Sequence, residues 1–170
     1  MKQSTFIASF ILLMVIQLIL AKYCQIAPYI YISLLPALVL CLPTARPQWF
    51  VMTVAFACGI ATDLLADGVP GLNAAAILPA ALLQKRMISI FIDDEMVERG
   101  YSFSFRENGY LKILSALTVL YAIYFVIYVI VDNAGQKPAG FMLARIAVSL
   151  CISLIFGAVV CGILCPRRKN

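Results

Sequence analysis

Histidine is absent from all 170 residues. That removes the commonest general base and the commonest transition-metal ligand. Charge is scarce too: Asp, Glu, Lys and Arg make up 12% of the chain, about half the share in a soluble domain. Water is therefore not the main solvent. None of the six cysteines forms a C-x-x-C pair, and no Gly-rich phosphate loop is present. Ser, Thr and Tyr are scattered without a basic partner. The chain reads as non-enzymatic, with no cofactor and no metal expected.

What fills the chain instead is apolar. Hydrophobic residues make up 64% of it, and they fall in long continuous runs. A segment in lipid must satisfy its own backbone hydrogen bonds, which leaves helices or closed barrels. Barrel strands alternate apolar and polar positions, and these runs do not. The pattern predicts an all-α integral membrane protein: one domain over residues 1–170, a bundle of about six transmembrane helices. Approximate spans are 6–21, 26–42, 49–65, 71–84, 111–131 and 141–165, with a polar loop at 85–110. The second and fourth runs are short and carry Pro36 and Pro79. They cross as kinked helices, or the fourth is re-entrant and leaves five crossings. Trp49 suits a membrane–water interface, and Asp67 to Gly71 is a turn by composition. The first run lacks a small-x-small cleavage site after Ala21 and reads as a retained helix.

Basic residues collect in cytoplasmic loops. With six crossings and an inner N-terminus, ten of the 13 Lys and Arg lie inside: Lys2, Arg46, Lys85, Arg86, Arg99, Arg106, Lys112, Arg167, Arg168 and Lys169. Lys22, Lys137 and Arg145 lie outside. The best five-crossing arrangement gives 9 of the 13 against 4, so six crossings are preferred. Both place the loop and the C-terminus in the cytoplasm. The net charge of +5 is then explained by topology and by anionic membrane lipids, with no nucleic-acid partner implied.

Charges within apolar runs are costly, about 2.5 to 3.5 kcal/mol at a helix centre on insertion scales. Asp63 sits near the outer end of the third run. Gly59 and Asp67 share its face at i−4 and i+4, and Ala57 with Ala61 forms a small-xxx-small pair. Arg145 sits about one turn into the sixth run, at a similar depth. Two readings are open: an intramembrane Asp63–Arg145 ion pair, or a turn contact for Asp63 and interfacial snorkelling for Arg145. Cys161 and Cys165 share a helix face at i, i+4, which two metal ligands could use, but such cysteines are ordinarily small packing residues. Asp93-Asp94-Glu95 and Glu98, among Lys85, Arg86, Arg99 and Arg106, read as a solvated charged loop.

The tract Gly59 to Ala75 resembles the signature stretch of the bacterial rod shape-determining MreD family. Gly59, Asp63, Leu64, Leu65, Gly71, Leu72 and Ala74 fit its pattern. Pro70 falls later in the turn than usual, and Asn73 stands where His is frequent. The resemblance implies a non-enzymatic inner-membrane subunit of the lateral peptidoglycan elongation (rod) complex that maintains cell shape. Its implied partner is the single-span protein MreC, with the MreB filament and the RodA–PBP2 synthase pair in the same complex. The family is similar in fold to the six-helix substrate-binding subunits of energy-coupling-factor transporters. That supplies an alternative: a vitamin-type transporter subunit with a polar outer pocket built from Asp63, Asp67, Asn73 and Arg145. The first span lacks the small-xxx-small docking face such subunits often show, since Ala8 is followed at i+4 by Leu12.

Overall fold

The computed structural model describes residues 3–23, 30–43, 46–68, 70–91, 110–133 and 138–164. Among these the chain is all-helical, without strands. Helix α1 is Gln3–Tyr23, α2 is Leu35–Leu40, α3 is Gln48–Thr62, α4 is Leu72–Phe91, α5 is Tyr110–Asn133 and α6 is Ala139–Leu164. A π-helical turn, Asp63–Asp67, extends α3. Five helices (α1, α3 with its π turn, α4, α5 and α6) are long and apolar enough to cross a membrane.

The second and fourth spans depart from expectation. Among the described residues of the expected span 26–42 the helix is the six-residue α2, and residues 30–34 are not helical. Pro36 lies at the start of α2 rather than within a longer helix. Proline lacks an N–H and clashes with the carbonyl four residues back, so a helix cannot run through it undisturbed from residue 32. The β-branched Ile30 and Ile32 add a bias against helix. The result is a break, not a kink; residues 26–29 lie outside the described set. The fourth span, expected at 71–84, runs on as helix to Phe91. Lys85, Arg86 and Met87 are polar or flexible but good helix formers. At 20 residues the helix is about 30 Å long, enough for a full crossing. The first part of the expected 85–110 loop is therefore helical, while residues 92–109, with the carboxylates at 93–98, lie outside the described set.

All six residues of α2 are buried, so the shortest helix lies in the middle of the bundle. Buried backbone without helix needs hydrogen-bond partners, and side chains of three helices supply them to residues 30–34. Tyr31 N donates to Ser149 Oγ at 3.0 Å, Ser33 N to Ser153 Oγ at 3.1 Å and Leu34 N to Gln17 Oε1 at 2.6 Å. Tyr121 donates its hydroxyl to Ser33 O at 2.9 Å. At the other end of α2, Gln84 Nε2 faces the carbonyls of Val39, Leu40 and Leu42 at 2.9, 3.3 and 3.1 Å. Residues 30–42 thus run beside α4 from the level of Asn73 to that of Gln84, about 16 Å. Around them pack Ile77 of α4, Ile113, Leu117 and Leu120 of α5, and Val160 of α6. Helix α1 turns Leu13, Gln17 and Ala21 inward and leaves Ile11, Leu12 and Ile19 exposed.

Candidate functional site

The α3–α4 junction is built around one carboxylate. The π turn brings Asp63, fully buried, over the start of α4. Gly68 and Gly71 take φ of 72° and 94°, a left-handed backbone that side chains resist, and so reverse the chain tightly. The N–H groups that open a helix have no partner within it. Asp63 takes three such groups: Oδ2 accepts from Gly71 N at 3.0 Å and Ala74 N at 3.2 Å, and Oδ1 from Asn73 N at 2.8 Å. Asn73 Nδ2 adds a fourth donor to Oδ1 at 2.9 Å. A carboxylate has about four acceptor positions, and these bonds fill them. Its negative charge also suits the positive end of the α4 dipole.

Gly59, one turn before Asp63, completes the junction. A Cβ there would lie 2.6 Å from Ala74 Cα and 2.8 Å from Ala74 N. The glycine lets the first turn of α4 lie against the α3 backbone, within reach of Asp63. Leu72 is buried with them. Leu64 and Leu65 face outward, each 63% exposed. The signature tract therefore divides into an inward part, Gly59, Asp63 and Leu72, an exposed turn glycine, Gly71, and an outward leucine pair.

From Asn73 the polar contacts reach the far side of the bundle. Asn73 Oδ1 accepts from Tyr31 Oη at 3.1 Å and from Tyr124 Oη. Tyr31 stacks on Tyr128 with ring centroids 4.3 Å apart, and Tyr124 stacks on Tyr128 at 5.9 Å. The Arg145 guanidinium lies 5.8 Å from the Tyr128 centroid, and its Nη1 pairs with the carboxylate of Asp132.

Of the two readings of Asp63, the turn contact is the one the structure holds, and Arg145 pairs with Asp132 instead of Asp63. Asp63 is saturated by the start of α4, which the chain reaches through a short turn. Arg145, early in α6, meets Asp132, late in α5, across an equally short connection. An open cavity of about 360 Å³ beside the junction is lined by Pro70, Gly71, Leu72, Val131 and Asp132. Asp63 and Asn73 do not line it.

Sequence reasoning overlooked Ser149, Ser153 and Gly157. Spaced four apart on α6, they form a buried small-residue stripe that ends at Cys161. A Cβ at Gly157 would stand 2.7 Å from Tyr121 Oη, so this glycine makes room for the tyrosine that bonds Ser33. The four-residue spacing of small residues within an apolar run was the available signal. Cys161 contacts Cys41 with Sγ atoms 3.3 Å apart; Cys165, its expected neighbour, lies outside the described residues. Compared with known protein families, characterised proteins and solved structures, the chain matches none of them.

Proposed function

We propose that this chain is a non-enzymatic scaffold subunit of the bacterial lateral wall-elongation machinery, of the MreD type. It lies in the inner membrane with six crossings and both termini cytoplasmic. Its direct partner is an MreC-type single-span protein, with an MreB-type filament and a RodA–PBP2-type synthase in the same complex. The reading starts from the signature tract Gly59 to Ala75. The observation that supports it over the transporter alternative is the saturation of Asp63. Two of the four residues from which an outer substrate pocket would be drawn, Asp63 and Asn73, are fully buried and bonded to one another, and a third, Arg145, is paired with Asp132. The polarity of Asp63 and Asn73 is used to join α3 to α4. The neighbouring cavity has one charged side chain in its lining, Asp132, which Arg145 already holds. A scaffold needs such a rigid junction to present a constant surface, here including Leu64 and Leu65.

The test is purification of the whole protein in mild detergent, with identification of what co-elutes. A single-span periplasmic protein is expected. A bound vitamin, or a cytoplasmic ATPase with its coupling subunit, would replace this reading with the transporter one. Cysteine labelling from outside the cell at position 168 would overturn the proposed topology.

A further inference from the structure

We propose that the end of the bundle opposite Asp63 carries a headgroup site for an anionic phospholipid, formed by Lys85, Arg86 and Lys112. The proposal rests on the chain being a bilayer protein and is independent of the wall-growth reading.

Depth comes first. Tyr124 of α5 meets Asn73 of α4, while Val131 and Asp132 lie beside Gly71 and Leu72. The two helices therefore run antiparallel. Lys85 and Arg86, in the second half of α4, and Lys112, in the first turn of α5, all lie toward the end of the bundle away from Asp63. Lys85 is half-buried, while Arg86 and Lys112 are exposed.

A second observation sets this depth at the headgroups. Gln48 at the start of α3 donates to Ala81 O at 2.6 Å, so the next residue, Trp49, lies about one turn of α4 from Lys85. Trp49 is 69% exposed, and an exposed indole next to apolar helices marks a bilayer interface.

Charge points the same way. The carboxylates among the described residues are Asp63, Asp67 and Asp132, and all belong to the opposite end. The basic end carries Lys85, Arg86, Lys112 and the exposed Arg46; the acids between 93 and 107, which connect α4 to α5 in sequence, lie outside the described residues. Basic positions between helices at this level are complementary to lipid phosphate. The aliphatic stems of Lys and Arg cover apolar surface while the charges reach the headgroups.

The experiment uses the full chain in nanodiscs of phosphatidylcholine alone, or with added phosphatidylglycerol or cardiolipin. Native mass spectrometry after gentle extraction is expected to find anionic lipid retained, and the anionic nanodiscs to raise Tm by several degrees. The triple variant Lys85→Gln, Arg86→Gln, Lys112→Gln should melt like the wild type in pure phosphatidylcholine. It should lose the added stability, with lipid retention falling several-fold. Equal retention of neutral and anionic lipid, or a triple variant that retains anionic lipid fully, would overturn the proposal. So would early melting of that variant in pure phosphatidylcholine, which would assign these side chains to packing. A companion variant, Asp93→Asn, Asp94→Asn, Glu95→Gln, addresses the nearby acidic run. Unchanged lipid binding supports the site; binding that arises only in this variant would mean the run occupies the belt in the native chain.

Discussion

Gly59 and Ala74 touch backbone to backbone: a Cβ on the glycine would stand 2.6 Å from the alanine Cα. Mid-helix glycine ordinarily costs about 0.5–1 kcal/mol relative to alanine. Here the close approach reverses that sign, because the atoms in the way are main chain and cannot rotate aside. Gly59→Ala is expected to lower stability despite its better helix propensity, by the roughly 1–3 kcal/mol typical of overpacking. Gly59→Leu is expected to be worse. Thermal melting of the purified variants in one detergent checks the order; an unchanged or higher Tm for Gly59→Ala would refute the contact.

Much of this junction is visible in the sequence, and the rest is not, for physical reasons. The i, i+4 spacing places Gly59 and Asp63 on one face whatever they touch. Which donors reach Asp63 depends on the left-handed turns at Gly68 and Gly71, and no helical periodicity encodes those. The long apolar runs delimit α1, α3, α5 and α6 well because each of these helices is apolar over nearly its whole length. They miss the end of α4, since Gln84 to Phe91 is less apolar but equally able to form helix. Pro36 announces an interruption without distinguishing a kink from a break. The break becomes readable only with Ser149, Ser153 and Gln17, residues distant in sequence that carry the hydrogen bonds of residues 31–34.

Gln84 carries the other end of that broken segment. One amide nitrogen faces three carbonyls of residues 39–42. Gln84→Met keeps the volume and removes the donor; Val39 O keeps the Leu42 N–H, while the Leu40 and Leu42 carbonyls lose the amide, at a cost of about 1–3 kcal/mol. Gln84→Glu places a carboxylate against those same carbonyls and is expected to be the more harmful of the two at neutral pH. Denaturation of the two variants side by side tests this. A glutamate variant as stable as the wild type would mean that Gln84 does not hold α2 in solution.

The contact between Cys41 and Cys161 gives an independent check on where α2 ends. Their sulfur atoms lie 3.3 Å apart across two elements. In a variant whose other cysteines are serine, copper-phenanthroline should close an intramolecular bond, read as loss of both maleimide-reactive thiols after denaturation. The matching pair of Cys58 and Cys161 should not close. If neither pair reacts, or both react equally, the packing of α2 on α6 is wrong.

The two charged arrangements at the acidic end make opposite predictions about coupling. Asp132 and Arg145 are direct partners, whereas Asp63 is occupied by four N–H donors. Asp63→Ala strands the opening N–H groups of α4 and should cost about 1–3 kcal/mol, the usual penalty for unsatisfied buried donors. Asp63→Asn should be milder, since its single oxygen still accepts. Arg145→Ala removes the partner of Asp132 and the cation above Tyr128. Neighbours that share an interaction couple, while distant independent sites add within about 0.3–0.5 kcal/mol. Asp132→Ala combined with Arg145→Ala is therefore expected to cost less than the sum of the single changes. Asp63→Ala combined with Arg145→Ala should be close to additive, because the tyrosine layer between them offers ring contacts and no shared ion pair. The measurement is a pair of double-mutant cycles on Tm or denaturant midpoint in the same detergent. Strong coupling of Asp63 to Arg145, with none between Asp132 and Arg145, would restore the ion pair between Asp63 and Arg145 and overturn the capped junction.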